Sequence, residues 1–225
     1  MSVLADAFVL ARKDLIVELR ARRAMAAATA LAGIAFILVG LAVGPDAGRL
    51  RSLAPGLVWI VLLYATLAVA ERLEQIDRED DAFSGLWLAV EDSRAIYLGR
   101  VMSVATVLTL LELGLWLATL FFMDLPARGE LLAILPLALL TGATAGAVSA
   151  LGLPLVAEAG SRQLLLPAVL LPLLVPTFLA GVQASAAIVD GRPGDVVGWA
   201  AILAVEAALF LGLGLLLYDA AASPG

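Results

Sequence analysis

Runs of about 20 predominantly apolar residues recur along this chain between short polar breaks, and each is long enough to cross roughly 30 Å of hydrocarbon as a helix. That length constrains the fold more than any motif, because a backbone in lipid must satisfy its own hydrogen bonds and only helices or closed barrels do so. The runs are continuous, which selects helices. Hydrophobic residues make up 63% of the 225 positions and charged ones 15%, too little polar surface to cover a water-soluble fold.

The reading is an all-α integral membrane protein with a single membrane domain over 1–225 and six spans, at about 24–43, 54–71, 98–122, 130–157, 163–185 and 196–218. Gly, Pro and Asp punctuate the breaks, as in Gly44-Pro45-Asp46 and Asp190-Gly191-Arg192-Pro193. Residues 1–23 carry Val3, Leu4, Ala7, Phe8, Leu10, Ala11, Leu15 and Leu19 at three- and four-residue steps, with Arg12, Lys13, Asp14, Glu18 and Arg20 between them. This spacing predicts an amphipathic helix lying along the membrane interface.

Basic residues stay on the cytoplasmic side of membranes. With the N-terminus inside, ten basic residues face the cytoplasm (Arg12, Lys13, Arg20, Arg22, Arg23, Arg72, Arg78, Arg94, Arg100 and Arg162). Four lie outside: Arg49, Arg51, Arg128 and Arg192. Both termini, including the tail at 219–225, are therefore expected in the cytoplasm. The net charge of −6 argues against nucleic acid as a ligand, which would call for a basic face.

Absent residue types narrow the chemistry. The chain has no His and no Cys, hence no imidazole base, thiolate, zinc cluster or disulfide, and no metal site is expected. It also lacks a G-x-x-x-x-G-K-[ST] loop, so ATP hydrolysis would belong to another polypeptide. The chain is read as non-catalytic.

Four groups of residues stand out. Between spans 2 and 3, the polar segment 72–97 holds Asp77-Arg78-Glu79-Asp80-Asp81 followed by Ala82-Phe83-Ser84-Gly85-Leu86-Trp87-Leu88, an aromatic-bearing stretch suited to docking on another protein. Asp81, Phe83, Ser84, Gly85, Leu86 and Trp87 are the expected contact residues for an ATPase. At the opposite side, Arg49, Arg51, Pro55 and Trp59 lie where arginines meet anionic groups and Trp anchors at the interface, a candidate contact for a periplasmic partner or haem. Pro167, Pro172 and Pro176 place three prolines in ten residues of span 5, a hinge or a packing device. Glu112 and Glu206 fall in mid-span, where an acid is either functional or a hydrogen-bonding link between helices.

Taken in order, these segments resemble one family. Gly44-Pro45, Leu53-Ala54-Pro55-Gly56-Leu57-Val58-Trp59, Glu71-Arg72-Leu73, the acidic lead into Ser84-Gly85, Arg100-Val101-Met102 and the proline-rich fifth span are similar to the CcmB family, the haem exporter B proteins of cytochrome c maturation. The chain departs from the family pattern after Gly85, and Arg100 stands where Lys is usual. The resemblance implies an ABC-2-like permease of the bacterial inner membrane that binds no cofactor itself. It would work with an ATP-binding subunit (CcmA-like), a haem-handling membrane subunit (CcmC-like), a small subunit (CcmD-like) and a periplasmic haem chaperone (CcmE-like). ATP would be handled by the ATPase and haem by the complex. An ABC-2-like exporter of another substrate, and a proton-coupled secondary transporter using Glu112 and Glu206, are the alternatives.

Overall fold

A computed structural model describes residues 2–21, 23–78, 82–123, 125, 129–156 and 162–222. Among these the chain is helical: α1 (Val3–Ala21), α2 (Arg23–Val43), α3 (Ala47–Arg78), α4 (Ala82–Ala89), α5 (Ser93–Phe122), α6 (Ile134–Val156, preceded by a 3₁₀ turn at Gly129–Ala133), α7 (Arg162–Val189) and α8 (Pro193–Ala222). Six of them, α2, α3, α5, α6, α7 and α8, are long and apolar enough to cross a membrane. Span number and order agree with the sequence reading.

Several boundaries move outward, each for a local reason. The second span was expected from residue 54, but α3 begins at Ala47 because Asp46 caps it. The Asp46 carboxylate accepts from the Arg49 amide at 3.1 Å, and its carbonyl accepts from the Leu50 amide. Likewise α5 starts at Ser93, where the Asp92 side chain accepts the Arg94 amide at 2.9 Å. The segment 72–97 is consequently largely helical, divided among the tail of α3, all of α4 and the start of α5.

At the α7–α8 turn, Gly191 takes φ +69°, and the Arg192 amide bonds to the Ala187 carbonyl, closing α7 in the manner that favours glycine. Arg192 then reaches both Asp190, at 3.1 Å, and Asp195.

α6 sits at the centre, packed on α5, α7 and α8, while α3 bridges α2, α5 and α7. Small residues allow the closest approach. A Cβ at Gly146 would come within 2.8 Å of the Val101 carbonyl oxygen, and one at Gly142 would overlap the Thr109 hydroxyl. This Gly-x-x-x-Gly pair brings the α5 and α6 backbones together as membrane helices commonly do. Thr109 Oγ1 donates across that contact to the Ala138 carbonyl at 3.1 Å, and Thr144 Oγ1 lies 3.3 Å from the Leu203 carbonyl of α8. By contrast α2 packs mainly on α3 and is largely exposed.

α1 is a helix as expected, and the stripe it buries against the rest of the protein is made of small and acidic residues. Ala7, Ala11, Asp14 and Glu18 face inward on α5, whereas Leu4, Phe8, Val9 and Ile16 face out. Gly99 explains the choice, since a Cβ there would approach Leu10 Cβ to 2.8 Å and the Ala7 carbonyl to 3.0 Å. The small side of α1 fits against α5, and the bulky side is exposed.

Candidate functional site

At the end of the bundle that carries α4, two layers meet. Leu86 and Trp87 are half-buried and pack on a cluster formed by Ile96, Tyr97, Val101, Ala147, Ala150, Leu151 and Tyr218. Tyr97 is fully buried, donates its hydroxyl proton to the Phe210 carbonyl at 2.8 Å and pairs with Tyr218 at a ring separation of 5.4 Å. Gly214 leaves the space that the Tyr97 ring occupies.

Leu86 and Trp87 thus hold α4 to the bundle through that cluster while remaining partly exposed. Gly85 is exposed, with open space where a Cβ would be. Phe83 and Ser84 lie within α4, though their side chains fall outside the described residues, as does all of Asp81.

Under the same end is a feature that sequence reading missed. Asp14 and Glu18 of α1 are buried (9% and 7% exposed) beside Ser103 of α5 and Leu73 of α3, around a cavity of about 10 Å³. Lys13 Nζ reaches Asp14 Oδ1 at 2.8 Å, while Glu18 Oε1 has no hydrogen-bond partner. The available signal was that both acids extend the Ala7–Ala11 stripe by steps of three and four.

At the other end, Arg49 is exposed and pairs with Asp46, Nε to Oδ2 at 3.3 Å, and Arg51 is half-buried with its Nε unpartnered. Both lie in the first turns of α3 and not in a loop. Trp59 turns inward: it is 2% exposed, donates from Nε1 to Ser185 Oγ at 3.0 Å and meets Phe178 edge to face at 5.5 Å. An interfacial anchor needs its ring among headgroups, so Trp59 acts here as a link from α3 to α7. Pro55, one turn earlier on α3, is also buried.

Pro167, Pro172 and Pro176 all lie inside α7, which remains one continuous helix through them. Glu112 is fully buried on α5, one turn from Trp116, and neither carboxyl oxygen nor the Trp116 Nε1 completes a hydrogen bond of ordinary geometry. Glu206 lies on α8 against Thr177 of α7, with both carboxyl oxygens buried. The structure does not bring the two acids into one site: Glu112 is buried on α5, whereas Glu206 is buried beneath an apolar groove between α7 and α8. Among the described residues no cluster of three or more His, Cys, Asp or Glu converges as a metal site.

Six helices long and apolar enough to cross a membrane, an N-terminal helix packed on α5 and a short helix between the second and third spans define a multi-pass membrane protein. The chain belongs to the CcmB protein family, whose model matches residues 5–223. It is similar to the Heme exporter protein B of Pseudomonas aeruginosa, at 32% identity over 72% of each chain. It is also similar to those of Bradyrhizobium diazoefficiens, at 28% over 81% of this chain and 82% of the relative, and Paracoccus denitrificans, at 30% over 76% and 78%.

Proposed function

We propose that this chain is the membrane permease subunit of an ATP-driven complex that delivers haem for cytochrome c maturation, in a bacterial inner membrane with both termini cytoplasmic. The observation that carries the reading is similarity across most of their length to relatives named as haem exporters. In this reading α4 receives the ATPase subunit (CcmA-like) through Asp81, Phe83, Ser84 and Gly85. Leu86 and Trp87 pass its displacement to the cluster that includes Tyr97 of α5 and Tyr218 of α8. α8 continues to the far end at Pro193, and α7, with carbonyls that its prolines leave without their usual donors, is the element that bends.

At that far end Arg49 and Arg51 meet the haem chaperone (CcmE-like) or a haem propionate, through charge-assisted hydrogen bonds. Haem itself is held by a CcmC-like membrane subunit, with a small CcmD-like subunit in the complex. The chain supplies shape and motion and binds no cofactor.

The test is complementation of a strain lacking this chain, scored by holocytochrome c after equal membrane levels are confirmed. Charge reversal, Arg49→Glu with Arg51→Glu, is expected to lower holocytochrome c while the ATPase still co-purifies. Normal holocytochrome c in that variant would remove the two arginines from the delivery step. Failure of the wild-type chain to complement would remove the haem reading. A proton-coupled carrier is the second reading, favoured by the fully buried, unpartnered carboxyl of Glu112.

A further inference from the structure

Arg49 and Arg51 stand on opposite sides of α3. Two residues apart, at about 100° per residue, they are turned from each other by about 200° around the helix. Arg51 continues by steps of three and four into Ala54, Val58 and Leu62, the buried stripe that faces the bundle, whereas the Arg49 side chain is 76% exposed. We infer that Arg51, and not the two arginines acting as a pair, receives a carboxylate from outside the chain, carried on a short flexible arm such as a haem propionate or a partner's glutamate side chain. The inference rests on the haem-delivery reading above and narrows it to one contact.

Charge balance selects Arg51. Arg49 Nε meets Asp46 Oδ2 at 3.3 Å, and Arg192, at the same end of the bundle, is held by Asp190 and Asp195. Those two cations are neutralised by acids of their own chain. Arg51 forms no ion pair or hydrogen bond with another described residue, and its Nε is buried without a partner. Arg128, the remaining basic residue of this end, lies outside the described residues. Buried charges in folded proteins are paired, so the group that completes Arg51 comes from elsewhere.

Access follows from where α7 stops. Trp59, two turns along the same face of α3, is held by Ser185 of α7, and α7 runs only four residues further, to Val189. Arg51 lies eight residues outward from Trp59. At 1.5 Å per residue the wall extends roughly 6 Å past the Trp59 contact, and Arg51 sits roughly 12 Å past it. The guanidinium tip is therefore open from the outer side: Nε is a buried atom without a partner, and neither terminal nitrogen is.

The two terminal nitrogens form a planar fork that matches a carboxylate. A phosphate has similar geometry, but lipid phosphates surround the bundle on the side of Arg49. They do not lie on the face that Arg51 shares with Trp59.

The experiment uses the full complex, with each variant scored by holocytochrome c in a strain lacking this chain and by melting of the purified complex. Arg51→Met keeps the length of the side chain and removes its charge. It is expected to lower holocytochrome c about tenfold, the factor that one charge-assisted hydrogen bond supplies, with the ATPase still co-purifying. It is also expected to melt at or above the wild-type temperature, because a buried charge without a partner is gone. Arg51→Lys, which keeps the charge without the fork, should fall between the two. Arg49→Met should lose several-fold less than Arg51→Met, and Arg192→Met is the control for lost charge at this end, expected within about twofold of wild type.

Mesohaem added to the purified complex identifies the source. Thermal protection by the free dicarboxylate, absent with its dimethyl ester and absent in Arg51→Met, assigns the carboxylate to haem. No protection by either, with the tenfold loss intact, assigns it to a protein partner. Normal holocytochrome c from Arg51→Met, or an equal loss from Arg49→Met, would overturn the inference. So would a lower melting temperature or membrane level for Arg51→Met, since a charge with no partner in the chain does not hold the chain together. Protection of wild type by phosphatidylglycerol that Arg51→Met abolishes would give the site to lipid and overturn it as well. Failure of the wild-type chain to complement removes the haem reading itself, whereas complementation by both wild type and Arg51→Met removes this inference alone.

Discussion

The indole of Trp59 occupies the space that a Cβ on Gly181 would take, so α3 and α7 are keyed together by the largest side chain lying on the smallest residue. The fit is rigid, because the atoms in the way belong to a ring already held by Ser185 and Phe178. Gly181→Val is expected to destabilise the folded protein by about 1–3 kcal/mol, as overpacking does. Thermal unfolding in detergent checks this. Combining Gly181→Val with Trp59→Leu should cost less than the sum of the two, since they share one contact.

Glycines on neighbouring helices should differ in tolerance. Gly146→Val forces α6 away from the Val101 carbonyl, a backbone atom that cannot swing aside, and is expected to lower stability by about 1–3 kcal/mol. Gly114→Ala meets nothing within 4 Å and is expected to be neutral or to stabilise by up to about 1 kcal/mol. Paired melting curves of the two variants give the comparison.

On α4 the two substitutions most alike in chemistry should diverge. Trp87→Asp removes a half-buried ring from the Tyr97–Tyr218 cluster and is expected to lower stability by about 1–3 kcal/mol, and with it the amount of chain in the membrane. Gly85→Asp adds the same charge at an exposed site, leaves the melting temperature near wild type and reduces ATPase co-purification. Equal ATPase recovery from Gly85→Asp and wild type would rule out docking through this face of α4.

Tyr97→Phe keeps the ring and deletes one hydroxyl. Losing its hydrogen bond to the Phe210 carbonyl is expected to cost about 1 kcal/mol and to loosen α8 against α5. Faster hydrogen exchange confined to the second half of α8 would register the loss.

Glu112→Gln preserves hydrogen-bonding capacity but cannot carry a charge. If Glu112 is a packing residue, holocytochrome c stays near wild type at matched protein levels. Loss of activity as complete as in an ATPase active-site variant, with the complex still assembled, would instead establish proton coupling.

The spans were legible because hydrocarbon thickness fixes their length, and the acids of mid-span stood out against apolar neighbours. Sidedness within each span was not legible. A helix that is apolar all round has no periodic signal for which face turns inward, so Trp59 read as an interfacial anchor although Gly181, some 120 positions away, makes room for it inside. The same limit hid the role of Leu86 and Trp87, which pack on a cluster drawn from α5, α6 and α8. In α1 the spacing did not show that Ala7 and Ala11 would be the residues packed on α5, where Gly99 permits the close approach.

The pairing of α1 with α5 also sets a clock. α2 and α3 can meet as soon as both have left the ribosome, but α1 has to wait for Gly99, with about 80 residues still to be made. At 5–20 residues per second that delay is roughly 4–16 s. Asp14 and Glu18, buried in the folded protein, lack their α5 neighbour Ser103 until the third span is made. The N-terminal helix is thus among the first segments synthesised and among the later ones to reach its final place.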